Sequence, residues 1–174
     1  MGVAGSGKSM QGRLLADQEA LPWLSTGEFL RMLISGDERR DMLAGKLLDD
    51  EEIITLVQKI FNIVDTDEEF VLDGFPRTES QADWLLNQVK YGQLSVTAVI
   101  HLIATESSVM ERLLDRGRQD DHAEAIRERF QEYEVAIKPV MSHFKEAKIP
   151  IYDINGEQEP KKVHSDIISV LGRS

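Results

Sequence analysis

Gly2, Gly7, Lys8 and Ser9 stand in the spacing G-x-x-x-x-G-K-[ST]. Glycines at such spacing let the backbone wrap an anion with its N–H groups turned inward, and a helix that follows adds its positive end. Gly5, Ser6, Gly7 and Met10 belong to the same wrap, Lys8 would reach the β- and γ-phosphates, and the Ser9 hydroxyl would touch Mg²⁺. A glycine-rich turn that merely begins a helix is the competing reading; the complete pattern with a helical segment behind it favours the phosphate loop. Taken alone, the pattern implies only that a nucleoside triphosphate binds.

A second group of residues bears on what happens to that phosphate. Arginines occur at 31, 77, 112, 116, 118 and 129, with Asp73 and Gln81 close to Arg77 in the run FVLDGFPRTESQ at 70–81. Arginine forks grip phosphate in a bidentate geometry that lysine does not match. Taken singly, Arg112, Arg116, Arg127 and Arg129 also fit a solvated helix face. Asp73 also fits a turn after a strand, Gln81 an ordinary first-turn helix residue, and Asp121 with Glu124 a helix-capping pattern.

These residues are separated by alternating elements. Short apolar or β-branched runs at 24–25, 70–72, 96–103 and 149–154 read as strands. Helical patterns cover 10–18, 80–90, 106–116, 122–147 and 160–171, and the apolar residues at 53, 56, 57, 60, 61 and 64 form a stripe of helical period. Such alternation predicts a parallel sheet covered by helices on both faces. A phosphate loop ordinarily follows a buried strand, yet only Met1 precedes Gly2. Five apolar side chains buried at about 1.5–3 kcal/mol each would supply on the order of 10 kcal/mol, comparable to a domain's net stability of about 5–15 kcal/mol. The expectation is therefore that the working protein has residues ahead of Met1.

The 174 residues suit one domain, 1–174, without a linker or repeat. A balance of 31 acidic against 20 basic residues, net −11, argues against a nucleic-acid or membrane binder. The chain has no cysteine, which removes disulfides and cysteine-bound zinc and suits a cytoplasmic protein.

In order along the chain, LSTGEFLR at 24–31, AGKLLDDEEII at 44–54, DGFPRT at 73–78 with Gln81, ERLLDRGRQDD at 111–121 and IRERF at 126–130 resemble the adenylate kinases, or more broadly the nucleoside monophosphate kinases. The resemblance runs from residue 2 to about residue 170. It implies a P-loop NTPase-type three-layer α/β/α fold with a central parallel sheet, a helical acceptor-binding subdomain at 26–64 and a very short lid at 116–121. It also implies Mg-dependent phosphoryl transfer from ATP to AMP, giving two ADP. Arg31 and Arg77 would hold the acceptor phosphate. Arg116, Arg118 and Arg129 would surround the transferring group, and Arg112 would lie against the donor base. Asp73 would orient Mg²⁺ through water. Thr26, Lys46 and Leu48, together with Gly74 and Gln81, would line the acceptor site, and Gly156 and Gln158 the donor adenine. The Phe75–Pro76 bond would be cis.

Thr78 and Gln81 resemble the adenine-accepting version of the motif, since an amide presents a donor beside an acceptor as the adenine edge requires. A kinase for UMP or CMP is the alternative, and a nucleotide-binding protein without turnover is another. Two departures from the family pattern bear on these: Ala4 replaces a proline, and Ser9-Met10 replace Gly-Thr, so that Met10 removes a hydroxyl beside the donor phosphates. The family further implies a monomer, with nucleotides as its partners and no zinc.

Overall fold

The computed structural model describes residues 1–33, 49–118 and 121–173. Lys46 and Leu48 lie outside the described residues, as do 34–48 of the 26–64 segment and 119–120 of the 116–121 segment.

The phosphate loop turns into helix α1 (Lys8–Glu19) through Gly7, whose φ of 92° is a left-handed conformation that glycine adopts without strain. Strand β1 (Trp23–Ser25) leads into α2 (Thr26–Leu33). Helix α3 (Asp50–Phe61) begins at Asp49, whose carboxylate accepts from the Glu51 N–H at 2.8 Å, and it buries Ile53, Val57 and Ile60 on one face. Strand β2 (Val71–Asp73) enters the cis Phe75–Pro76 turn, and Thr78 caps α4 (Glu79–Lys90). Strand β3 (Val99–Ile103) precedes α5 (Glu106–Arg116), which stops at Gly117. The long α6 (Ala123–Glu146), strand β4 (Ile151–Asn155) and α7 (Pro160–Val170) complete the order.

The chain alternates strand and helix as the sequence predicts, but the described strands form two separate pairs. β1 lies parallel to β2, with Leu24 opposite Leu72, and β3 lies parallel to β4, with His101 opposite Asp153. A single parallel bridge, Gly2 to Leu102, attaches the start of the chain to β3. Among the described residues one continuous central sheet is thus not formed: no strand pairing joins β2 to β3, and Met1 to Val3 meet β3 through that bridge and the hydrogen bonds of Met1 to Ile100 and Leu102. A cavity of about 570 Å³ separates the two pairs, bordered by Val71 and Leu72 on one side and by Val96 and Ile100 on the other.

The apolar interior is divided to match. Ile53, Val57, Phe75, Leu85, Val99 and Phe144 form one cluster. Val3, Val109, Leu113 and Ile126 form a second beneath the phosphate loop, and Leu102, Ile154, Val163 and Ile167 a third.

Candidate active site

The phosphate loop sits where the first residues leave β3 and enter α1. The Ser6 N–H donates to the Val3 carbonyl at 3.1 Å and fixes the turn. Ser6 is buried, and its hydroxyl has no partner. Gly5 is packed tightly: a Cβ built there would lie 2.9 Å from Leu113 Cγ. Lys8 donates from Nζ to the Val3 carbonyl at 3.3 Å. Burial first, and then the charge of Arg77, bring the Lys8 ammonium from its ordinary 10.5 to about 8, with Arg116 and Arg31 adding and Asp73 opposing. The lysine therefore stands among positive charges at a point built to receive a negative one.

Beside the loop is a cavity of about 350 Å³ whose walls include Gly5, Gly7, Met10, Arg112, Gly156 and Gln158. These are residues the family resemblance assigns to the triphosphate donor, drawn from the start of the chain, from α5 and from the turn after β4. Arg112 on α5 donates from Nη1 to the Gly156 carbonyl at 2.8 Å, which joins α5 to the end of β4. Gly156 must be small, since a Cβ there would lie 2.8 Å from the Ser6 carbonyl oxygen. Met10 is 46% exposed beside this cavity, so its side chain borders the space rather than filling the core.

The β1–β2 pair delivers a second set. Ser25 and Asp73 end adjacent strands in register, and the Ser25 hydroxyl donates to the buried Asp73 Oδ2 at 3.1 Å. Thr26, fully buried, donates to the Asp73 carbonyl at 3.3 Å. Gly74, with φ of 83°, allows the chain to turn where a Cβ would lie 2.7 Å from Thr26 Oγ1 and 3.1 Å from Arg77 Nη2. A methyl on Gly27 would lie 3.4 Å from Arg31 Nη2 and 3.6 Å from Arg77 Nη2, so both guanidinium groups converge over the start of α2. Arg77 is reachable by solvent, yet the cleft wall lowers its guanidinium below the ordinary value. Desolvation is the main cause; Arg31 and Arg129 add to it and Asp73 opposes it.

Three carboxylates organise the arginines and the amide. Asp121 has a buried side chain that takes Arg116 Nε at 2.8 Å and Nη2 at 2.7 Å as a bidentate pair, with Arg129 Nη2 at 3.7 Å and the Arg118 N–H at 3.1 Å. Burial pushes its carboxyl up, but the Arg116 bonds and charge, the Arg118 N–H and Arg129 together hold it below the usual carboxylate range. Glu28 accepts from Arg31 Nη2 at 2.6 Å and lies 3.9 Å from Arg118 Nη2, and the Arg31 bond is the main cause of its lowered value. Asp50 accepts from Gln81 Nε2 at 2.7 Å and from the Thr78 hydroxyl at 2.8 Å.

Asp121 does not cap α6 as its spacing to Glu124 suggests. His122 does so, its Nδ1 accepting from the Ala125 N–H at 3.3 Å. Asp121 is drawn away by the guanidinium groups of Arg116 and Arg129 and by the Arg118 backbone N–H. Gln81 is buried as well as being in the first turn of α4. Its Oε1 accepts from the Arg77 N–H at 2.8 Å while its Nε2 faces Asp50, so donor and acceptor neighbours fix one orientation of the amide. Sequence reasoning missed Asp50 and Glu28. Asp50 lies in the run DDEE, where acidic residues suit any helix start, and Glu28 lies in the first turn of α2 for the same ordinary reason. Only the pairing of Glu28 three residues before Arg31 was available as a signal.

Lys8, Asp73, Arg31 of α2, Arg77 in the turn ahead of α4, Arg116 of α5 and Arg129 of α6 thus gather between the cavity beside the loop and the β1–β2 wall. Fold and site define a phosphate-loop nucleotide-binding protein of the α/β class. The family model for adenylate kinase matches residues 1–149. The adenylate kinase of Corynebacterium urealyticum (strain ATCC 43042 / DSM 7109) is 36% identical over 91% of this chain and 91% of its own length. That of Prochlorococcus marinus (strain AS9601) is 35% identical over 96% and 93%, and that of Corynebacterium glutamicum (strain R) is 32% identical over 99% and 97%. The chain belongs to the adenylate kinase family.

Proposed function

We propose that this protein catalyses reversible transfer of the γ-phosphoryl group of ATP to AMP, giving two ADP. The observation that carries the reading is the convergence of Arg31, Arg77, Arg116 and Lys8, with Asp73, on one point between the two halves of the molecule.

Phosphoryl transfer asks a protein for position and compensating charge more than for covalent chemistry. The acceptor phosphate is already an anion at neutral pH, so no general base is needed. In this reading Gly5, Ser6, Gly7, Lys8 and Ser9 hold the donor phosphates, while Met10, Arg112, Gly156 and Gln158 border its nucleoside. Arg31 and Arg77 fix the acceptor phosphate from the β1–β2 side. Arg116, Arg118 and Arg129 spread the charge of the transferring group. The second N–H and second lone pair of the Gln81 amide are left to read the acceptor base beside Thr26 and Gly74. Residues 26–64 act as the acceptor-binding subdomain, with Lys46 and Leu48 in it, and 116–121 as the short lid.

Ser9 and Asp73 supply a hydroxyl and a buried carboxylate, the hard oxygen donors that suit Mg²⁺ with its retained waters. Bound there, the ion would neutralise charge on the donor phosphates. Among the described residues no group of three or more His, Cys, Asp or Glu side chains is placed to hold a metal. No described helix is long and apolar enough to cross a membrane. The reading includes a monomeric, cytoplasmic enzyme.

The test is ADP production by purified protein with Mg·ATP and AMP, CMP, UMP or GMP. AMP is expected to give the fastest initial rate. A pyrimidine monophosphate faster by tenfold would replace the reading with a pyrimidine kinase. Nucleotide binding without ADP from any acceptor would replace it with a binding protein.

A further inference from the structure

The turn after β4 borders the cavity beside the phosphate loop, and its backbone is tied down at three points. The Gly156 N–H donates to the Ile103 carbonyl at 2.8 Å, and the Gly156 carbonyl accepts from Arg112 Nη1 at 2.8 Å. The Glu157 N–H donates to Asn155 Oδ1 at 2.9 Å. Gln158 follows in the turn and lines the cavity. Its Nε2 donates to the Asn155 carbonyl at 3.1 Å and to Asp166 Oδ2, on α7, at 3.0 Å.

Both of these neighbours can only accept. A backbone carbonyl has no proton to give. Asp166 stays ionised, because the bond from the Lys162 ammonium to its Oδ1, and then the bond from Gln158, hold its carboxyl below the usual carboxylate range. The two N–H bonds of the Gln158 amide are thus both engaged. Turning the amide over would set its oxygen against two others, so one orientation is fixed. Oε1 is left over, and among the described residues it accepts no hydrogen bond.

We propose, on the reading that the donor nucleotide occupies this cavity, that Asp166 is a positioning residue for the donor base. Together with the Asn155 carbonyl it holds the Gln158 amide with Oε1 presented to the cavity as an acceptor. A purine with an amino group at C6 gives Oε1 a proton. A purine with a 6-oxo group sets O6 against Oε1, two acceptors with no proton between them, and a site built for one hydrogen-bond pattern rejects the other. The loop backbone holds the phosphates, while the Asp166–Gln158 pair chooses the base above them.

The test measures equilibrium binding of Mg·ATP, Mg·ITP and Mg·tripolyphosphate to the full chain by calorimetry. ITP carries the 6-oxo group without the 2-amino group of guanine, and tripolyphosphate has no base. Wild type is expected to favour ATP over ITP by about tenfold or more. In Asp166→Ala the amide is free to turn, and the preference is expected to fall to about threefold or less, with tripolyphosphate affinity unchanged. Asp166→Asn, which keeps an acceptor oxygen, is expected to retain most of the preference, and Gln158→Leu to lose it. Equal affinity of the wild type for ATP and ITP would overturn the proposal, as would an unchanged ratio in Asp166→Ala. So would an equal loss of all three ligands in that variant, since Asp166 would then support the fold alone. In each of these cases tripolyphosphate binding to the wild type leaves the donor reading standing; failure of all three ligands to bind the wild type would overturn both.

Discussion

In the proposed reading the two strand pairs meet the nucleotides in different ways. The β3–β4 side builds its cavity from the phosphate loop and the Gly156 turn, where backbone and one cation do the holding. The β1–β2 side builds from side chains, each held by another: Arg31 by Glu28, and Gln81 and Thr78 by Asp50. Backbone sites tolerate sequence change, except where a Cβ would clash as at Gly5 and Gly156, because every residue carries the same N–H and C=O. Side-chain sites lose geometry when any supporting group is removed. The acceptor side should therefore be the fragile one, and substitutions should separate the halves.

The largest effect is expected at Arg77, where the halves face each other. Arg77→Ala removes a charge that the proposed reading aims at the reacting groups, and kcat should fall by on the order of 10²–10³, with affinity for ATP alone nearly unchanged. A fall confined to ATP affinity would move Arg77 to the donor side and break the comparison.

Next in size is the pH response of the loop. Lys8 titrates at about 8 in the empty cleft, and bound phosphates favour its charged form. ATP affinity should be full below about pH 8 and fall by up to about tenfold per unit above it, as read by calorimetry at several pH values. Stability of the empty protein moves the other way. The folded value lies below the ordinary 10.5, so the unfolded chain binds more protons between the two and stability rises with pH there. A flat affinity profile to pH 10 would mean Lys8 does not meet the donor phosphates.

Much of this was legible in the sequence. The phosphate loop, the Asp73–Gln81 turn and the arginine phrases could be read because each is a local run whose order matters. The helices were readable because capping and helical period are local as well. The networks were less so: Asp50 meets Gln81 on another helix, Glu28 approaches Arg118 and Asp121 approaches Arg129 only on folding, while Glu28 before Arg31 left a local signal. The split between the strand pairs was not legible: alternation predicts one parallel sheet, and where β2 and β3 settle depends on packing that no local run encodes.

Asp50 offers a sharper test of the side-chain half. Asp50→Ala leaves the buried Gln81 N–H without its acceptor, a loss of about 1–3 kcal/mol. KM for AMP should rise roughly tenfold, kcat should stay within about threefold, and preference for AMP over other monophosphates should narrow. Asp50→Asn, which keeps an acceptor oxygen, should recover most of the loss. An equal fall in kcat for every acceptor would show Asp50 to be a fold element only. A smaller change of opposite sign is expected at Glu28, whose partner Arg31 is proposed to hold the acceptor phosphate. Glu28→Gln should lower KM for AMP by about two- to fivefold, since a neutral amide competes less well for the guanidinium. A raised KM would mean that Glu28 aims Arg31 rather than occupying it.

The smallest effect lies away from both nucleotide sites and tests whether the acceptor side depends on its packing. His143 on α6 sits between two carboxylates of α4, with Nε2 3.1 Å from Glu79 Oε1 and Nδ1 2.6 Å from Asp83 Oδ1. The hydrogen bond to Glu79 is the first cause of its raised value, opposed by some desolvation and assisted by the charges of Asp83 and Glu79. A histidine raised on folding contributes stability that is fully present below its unfolded value of about 6.5 and is lost as pH climbs through the folded value. Both carboxylates are well exposed, so the contribution should stay under about 1 kcal/mol, a Tm change of roughly 1–3 °C for a chain of this length. Between pH 5.5 and 8.5 the wild type should lose that increment relative to His143→Gln, while KM for ATP stays the same in both. If the two proteins keep a constant Tm difference across that range, the contact between α4 and α6 is held by its apolar packing alone. The acceptor side would then depend on Asp50 and Glu28 without help from the helix beneath it.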